Sequence, residues 1–85
     1  MNHFIATFFS QYGAVQFLKL AKKNHIPCRL APVPRFLSSS CGTCAHFSGD
    51  GWDTGFVMKD LEIIYKVTDT GYEVIFQTDE SSGMQ

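Results

Sequence analysis

Between Leu61 and Thr78 the chain keeps a period of two that suits extended backbone. Leu61, Ile63, Tyr65 and Val67 alternate with Glu62, Lys66 and Thr68. After Asp69-Thr-Gly71 a second run follows, Tyr72-Glu-Val-Ile-Phe-Gln-Thr78. Successive side chains of a strand point to opposite faces, so the pattern predicts a hairpin with one apolar face. Asp69-Thr-Gly71 is the short glycine-containing turn that joins its arms. The alternative is a longer helix from upstream that absorbs part of Leu61–Val67. An apolar sheet face has to be covered, and 85 residues allow one domain to do it.

The cover is legible at the other end of the chain. His3-Phe-Ile-Ala-Thr-Phe-Phe9 reads as a buried strand. Ser10 is placed to cap the next element through its hydroxyl. From Gln11 to Asn24, Ala14, Phe17, Leu18 and Ala21 recur at helical spacing, while Lys22 and Lys23 gather where the helix dipole favours cations. Asn24-His25 and Pro27 end the helix. Cys28–Ala31 is a second short strand and Thr43–Phe47 a third. Alternation puts Cys44 and His46 on one side of that third strand and Ala45 and Phe47 on the other. Trp52–Asp60 is expected to form a short helix. The order predicts an α+β fold: a ferredoxin-like βαββαβ two-layer sandwich with an added C-terminal hairpin strand. Residues 1–78 form the domain and 79–85 a flexible tail.

Composition narrows the class. Apolar residues make up 45% of the chain and charged residues 18%, which fits a folded globule and argues against disorder. No apolar run approaches the ~20 residues of a membrane-spanning helix, and the N-terminus lacks the features of a signal peptide. The expected compartment is the cytoplasm. The net charge of −1 conceals a division. Residues 1–49 hold Lys19, Lys22, Lys23, Arg29 and Arg35 with no acidic residue, whereas residues 50–85 are strongly acidic. That division reads either as two solvated faces or as a basic region that attracts an anion or an acidic partner. Without a recognised motif, it argues against nucleic acid as a partner. Three cysteines, Cys28, Cys41 and Cys44, are too few and too odd in number for a secreted disulfide framework.

Pro32-Val-Pro-Arg-Phe-Leu-Ser-Ser-Ser-Cys-Gly42 joins the second and third strands. Its prolines hold the entry extended, and its small polar residues make a turn. The segment resembles a motif of small bacterial domains described as selenium/sulfur carrier proteins. The matching residues are Pro32, Pro34, Arg35, Leu37, Ser38, Ser40, Cys41 and Gly42. The resemblance extends through Ile26-Pro27 and Leu30 to the strand and helix at residues 4–24, and covers about residues 4–47. Members often have an acidic residue where Phe36 stands and another near Val15-Gln16, so the surface offered to a partner differs here. The resemblance implies a carrier that holds sulfur or selenium as a persulfide or perselenide on Cys41. It also implies donor and acceptor proteins as partners.

The residues themselves suit that chemistry. A carrier cysteine must ionise and must be reachable. Arg35 is a fixed cation that would favour the anion of Cys41. Ser38, Ser39 and Ser40 offer hydroxyls and consecutive backbone N–H groups around a sulfur anion, and Gly42 would let the backbone approach it. Cys44 would resolve a persulfide on Cys41, or form a dithiol couple with it, since Cys41-Gly-Thr-Cys44 is a C-x-x-C pair. Its alternative role is a small apolar strand residue. Two further readings stay open: a redox module using Cys41 and Cys44, and a non-catalytic partner-binding domain. A Cys28, Cys41, Cys44 and His46 zinc site lacks a second close pair, so no metal and no cofactor are expected. His3 and His25 have no partner in sequence. An exposed hairpin edge would permit a homodimer.

Overall fold

Ser10 closes the first strand and opens the helix, and the rest of the fold is arranged around that junction. The computed structural model describes residues 2–35, 37, 41–49 and 60–78. They form β1 (Asn2–Phe8), α1 (Gln11–Lys23), β2 (Cys28–Pro32), β3 (Thr43–Gly49), β4 (Leu61–Thr68) and β5 (Gly71–Gln77). The chain is α+β, with one helix among the described residues over a five-stranded sheet. Every strand pair is antiparallel, in the order β2-β3-β1-β4-β5. β3 lies between β1 and β2, which makes β1-α1-β2 a split β-α-β unit. Residues 52–59 of the expected second helix and the tail at 79–85 lie outside the described residues; Asp60 is a turn residue.

The helix begins and ends as its residues dictate. The Gly13 N–H donates to Ser10 Oγ at 3.1 Å, the N-cap bond expected of a serine at that position. Ser10 Oγ donates in turn to Asp60 Oδ2 at 3.0 Å, and the Phe9 N–H donates to the Asp60 carbonyl at 2.8 Å. Asp60 thus ties the start of α1 to the start of β4. At the other end the Ile26 N–H reaches the Ala21 carbonyl and the His25 N–H reaches the Lys22 carbonyl. This double bond is a Schellman closure, and His25 takes the left-handed φ of +60° that it requires.

Two apolar clusters hold the sheet, one on each face. Phe4, Ala6, Phe8, Ala45, Phe47, Leu61 and Ile64 pack with Ala14 and Phe17 of the helix. Phe17 joins them through ring contacts to Phe8 and Phe47, at centroid distances of 5.3 and 5.2 Å. Phe4 and Phe47 stack across β1 and β3. On the opposite face Ile5, Cys44 and Tyr65 gather with Ala31, Val33, Leu37, Ile63 and Val67. The expected division of β3 is observed, with Cys44 in one cluster and Ala45 and Phe47 in the other. β1 is central, and Phe4 through Phe8 are buried on both faces.

The hairpin decides between the two readings and corrects one detail. Leu61–Thr68 is strand throughout, so the longer helix is not formed. The simple alternation also fails at its first residue. Thr7 pairs with Ile63 but Phe8 pairs with Leu61, leaving Glu62 as an extra residue. A bulge of this kind turns one side chain to the other face. Leu61 therefore enters the helix-side core, while Ile63, Tyr65 and Val67 line the opposite face. A second irregularity between Ile64 and Tyr65 leaves Ile75 without a register partner. β5 is an edge strand and leaves Tyr72, Val74 and Ile75 exposed.

Candidate functional site

The Pro32–Gly42 segment is pinned at both ends. The Val33 N–H donates to the Gly42 carbonyl at 3.0 Å, closing the loop at its base. The Leu37 N–H donates to the Pro34 carbonyl at 3.0 Å, making a turn that contains Arg35. Val33 and Leu37 pack on the sheet face away from the helix. Cys41 packs against the helix-side cluster instead. The loop therefore wraps the end of the sheet and touches both faces. Gly42 has φ +77°, and a Cβ placed there would meet nothing within 4 Å. The left-handed φ is the conformation that glycine adopts without strain. Phe36 and Ser38–Ser40 lie outside the described residues, so the proposed serine cradle is not placed.

Cys41 is half-buried, and its Sγ donates to the Thr43 carbonyl at 3.3 Å. Gln11, the first residue of α1, donates through Nε2 to Thr43 Oγ1 at 3.2 Å. The helix start and the cysteine loop thus meet at Thr43. Arg35 is exposed, and among the described residues no hydrogen bond or ion pair holds its guanidinium.

The other two cysteines differ from Cys41 in different ways. Cys44 is 0% exposed, and its Sγ donates to the Pro32 carbonyl at 3.7 Å. Burial pushes its thiol above the ordinary range, Arg29 opposes that shift and Cys41 adds to it. Cys28 is half-buried in the helix-side cluster. Burial raises its thiol to about 11, with Lys22 pulling the other way. All three cysteines are free thiols. Among the described residues no three His, Cys, Asp or Glu side chains converge, so Cys28, Cys41, Cys44 and His46 do not form the zinc site considered above.

Those two raised thiols set a pH dependence. An acid whose folded pKa is raised favours the folded state while it stays protonated, and that benefit is lost as the unfolded form ionises. For Cys28 the window runs from 9.0 up to about 11. Urea midpoints should therefore fall as pH rises through this window, and Cys28→Ala should flatten the decline. A Cys28→Ala profile that declined as steeply as the parent's would assign the effect elsewhere.

The sequence reading missed one association. His3 and His46 are hydrogen-bonded, with His3 Nε2 3.1 Å from His46 Nδ1. Alternation alone could have placed each on a face, but pairing them needs the β1–β3 register, in which His3 lies opposite Ser48.

The fold and the loop define a small α+β domain with a half-buried cysteine at the seam between sheet and helix. The chain belongs to the family described as "Putative Se/S carrier protein-like", whose model matches residues 3–53. The match spans β1, α1, β2, the cysteine loop and β3, and ends before β4. No curated protein and no solved structure matches the chain. No helix among the described residues is long and apolar enough to cross a membrane.

Proposed function

We propose that this domain carries sulfur or selenium as a persulfide or perselenide on Cys41 and hands it to an acceptor protein. The observation that carries the reading is the contrast among the thiols. Cys41 sits half-buried on a loop, while Cys44 is sealed and Cys28 is held protonated to about 11. Membership of a family described as carriers supports the same choice.

Loading is an exchange of one sulfane atom. The Cys41 sulfur, as its anion, attacks the terminal sulfur of a donor persulfide. The donor's S–S bond breaks, a new Sγ–S bond forms, and the donor leaves as a thiolate that takes up the proton Cys41 gave up. Selenium follows the same balance. The unloaded S–H rests on the Thr43 carbonyl. A persulfide anion has no proton to donate there, so the loaded end turns away from that carbonyl toward the loop. Arg35 would meet the anion, Ser38–Ser40 would donate to it, and Gly42 would keep the turn's shape. The frame would be ferredoxin-like, with β5 appended beyond β4; the order β2-β3-β1-β4 supports that reading. The work would be done in the cytoplasm.

The dithiol alternative requires Cys44 to reach the Cys41 sulfur. Cys44 is fully buried in the cluster on the other face, so the loop would have to open first. Intact-mass measurement after incubation with polysulfide or selenide plus a mild oxidant tests both readings. Carriage predicts an adduct of about +32 Da for sulfur or about +79 Da for selenium. It should vanish in Cys41→Ser and persist in Cys44→Ser and Cys28→Ser. A product of about −2 Da that needs Cys44 would replace carriage by redox chemistry, and an adduct surviving in Cys41→Ser would end it.

A further inference from the structure

Three basic side chains from three neighbouring strands meet on the sheet face away from α1. They are His3 of β1, His46 of β3 and Arg29 of β2. Arg29 and His46 are direct cross-strand partners, and His3 stands opposite Ser48, one step further along that face. The two imidazoles tilt 40° with centroids 5.3 Å apart, and the 3.1 Å contact lets one ring N–H donate to its neighbour's lone pair. Together with Pro27, Cys28 and Ser48 they line a cleft of about 180 Å³. The residues lining the cleft do not include Cys41 or any residue of its loop. His46 lies three residues beyond Thr43, roughly 10 Å at ~3.3 Å per residue, and the cleft is on the opposite face from the Cys41 packing.

The arrangement gathers a guanidinium and two imidazoles in one cleft. Among the described residues no carboxylate pairs with Arg29, His3 or His46. Burial, Arg29 and His3 in turn push the His46 imidazole below its ordinary value. In the same cross-strand row Ile5 follows His46, and the next titratable group is Tyr65, a neutral phenol over this range. A dianion in the cleft would relieve each of those repulsions at once. We propose that this cleft binds a small oxyanion carrying two charges, with Arg29 and the His3–His46 pair as its donors. Arg29 supplies a planar fork suited to two oxygens. The neutral imidazole pair uses one N–H internally, and protonation adds an N–H that is free for the ligand. Binding should therefore tighten as pH falls toward the histidine range.

Sulfate is the suitable probe, because it stays dianionic from pH 5.5 to 8. Titration of the full chain, followed by the imidazole resonances, should show saturable shifts of His3 and His46 at pH 6. At pH 8 the affinity should be at least tenfold weaker. Arg29→Ala should weaken binding tenfold or more at pH 6. Its side chain is exposed, so the fold should persist, which circular dichroism can verify. His3→Ala is the second variant and should weaken binding and reduce the pH dependence, which His46→Ala in the same background should abolish. Cys41→Ser should bind as the parent does, which separates this site from the carrier chemistry. A parallel titration with glycerol phosphate distinguishes a free oxyanion from a phosphate ester; preferential binding of either supports the site. Shifts that never saturate and are matched by sodium chloride at equal ionic strength overturn it. So does undiminished sulfate binding in Arg29→Ala.

Discussion

Gly13→Ala should destabilise the domain by about 2 kcal/mol, although alanine is the better helix former by ~1 kcal/mol. Gly13 is buried in the first turn of α1. A Cβ there would run into Asp60 Cβ and lie 3.3 Å from both Asp60 Cγ and Oδ2. Asp60 has little freedom to retreat, because its carboxylate accepts from Ser10 and its carbonyl accepts the Phe9 N–H. Relieving the clash means overpacking, at ~1–3 kcal/mol, or giving up the cap, at ~1 kcal/mol. Either outweighs the propensity gain. For a domain of this size the expected drop in melting temperature is roughly 10 °C. Asp60→Gly in the same background should recover part of the loss by removing the atom that is struck. An unchanged or higher melting temperature in Gly13→Ala would show that the α1–β4 junction relaxes freely.

Arg35→Ala should slow the loading of Cys41 about tenfold or more and leave the melting temperature nearly unchanged. Arg35 is the one Lys or Arg between Ala31 and Lys59, so no fixed cation nearby in sequence replaces its charge. The Pro34–Leu37 turn fixes where its backbone sits. A guanidinium within ~4–6 Å favours a sulfur anion over its neutral form by roughly tenfold or more. Stability should hold because the side chain is exposed and, among the described residues, engages no partner. Arg35→Lys separates two versions of the role. Substantial recovery means that charge alone acts; little recovery means that the planar fork matters. Loading at the parental rate, together with a stability loss of ~1 kcal/mol or more, would make Arg35 a packing residue and end its part in the mechanism.

The helix shows why some elements were legible from residues alone. Ser10, the apolar stripe of Ala14, Phe17 and Ala21, and the terminal lysines each act within a turn or two of chain. Local interactions of that kind are written directly in the sequence. The hairpin shows the limit. Its strands were readable from alternation, but the bulge at Glu62 depends on how β4 docks against β1. The two-face plan survived the bulge, and the face of Leu61 did not.

The same boundary divides the site. The sequence by itself determined where the Pro32–Gly42 loop falls and the family, because small residues, prolines and a cysteine at fixed spacing form a contiguous pattern. Only the tertiary structure decided that Cys41 and Cys44, three residues apart, pack with clusters on opposite faces of the sheet. It likewise joined His3 to His46 across forty-three residues and set Arg29 beside them. Those outcomes turn on strand order and register, which place side chains by hydrogen bonds between segments distant in sequence. A chain can announce the chemistry of one loop, but which groups face one another across a sheet exists only once the strands have paired.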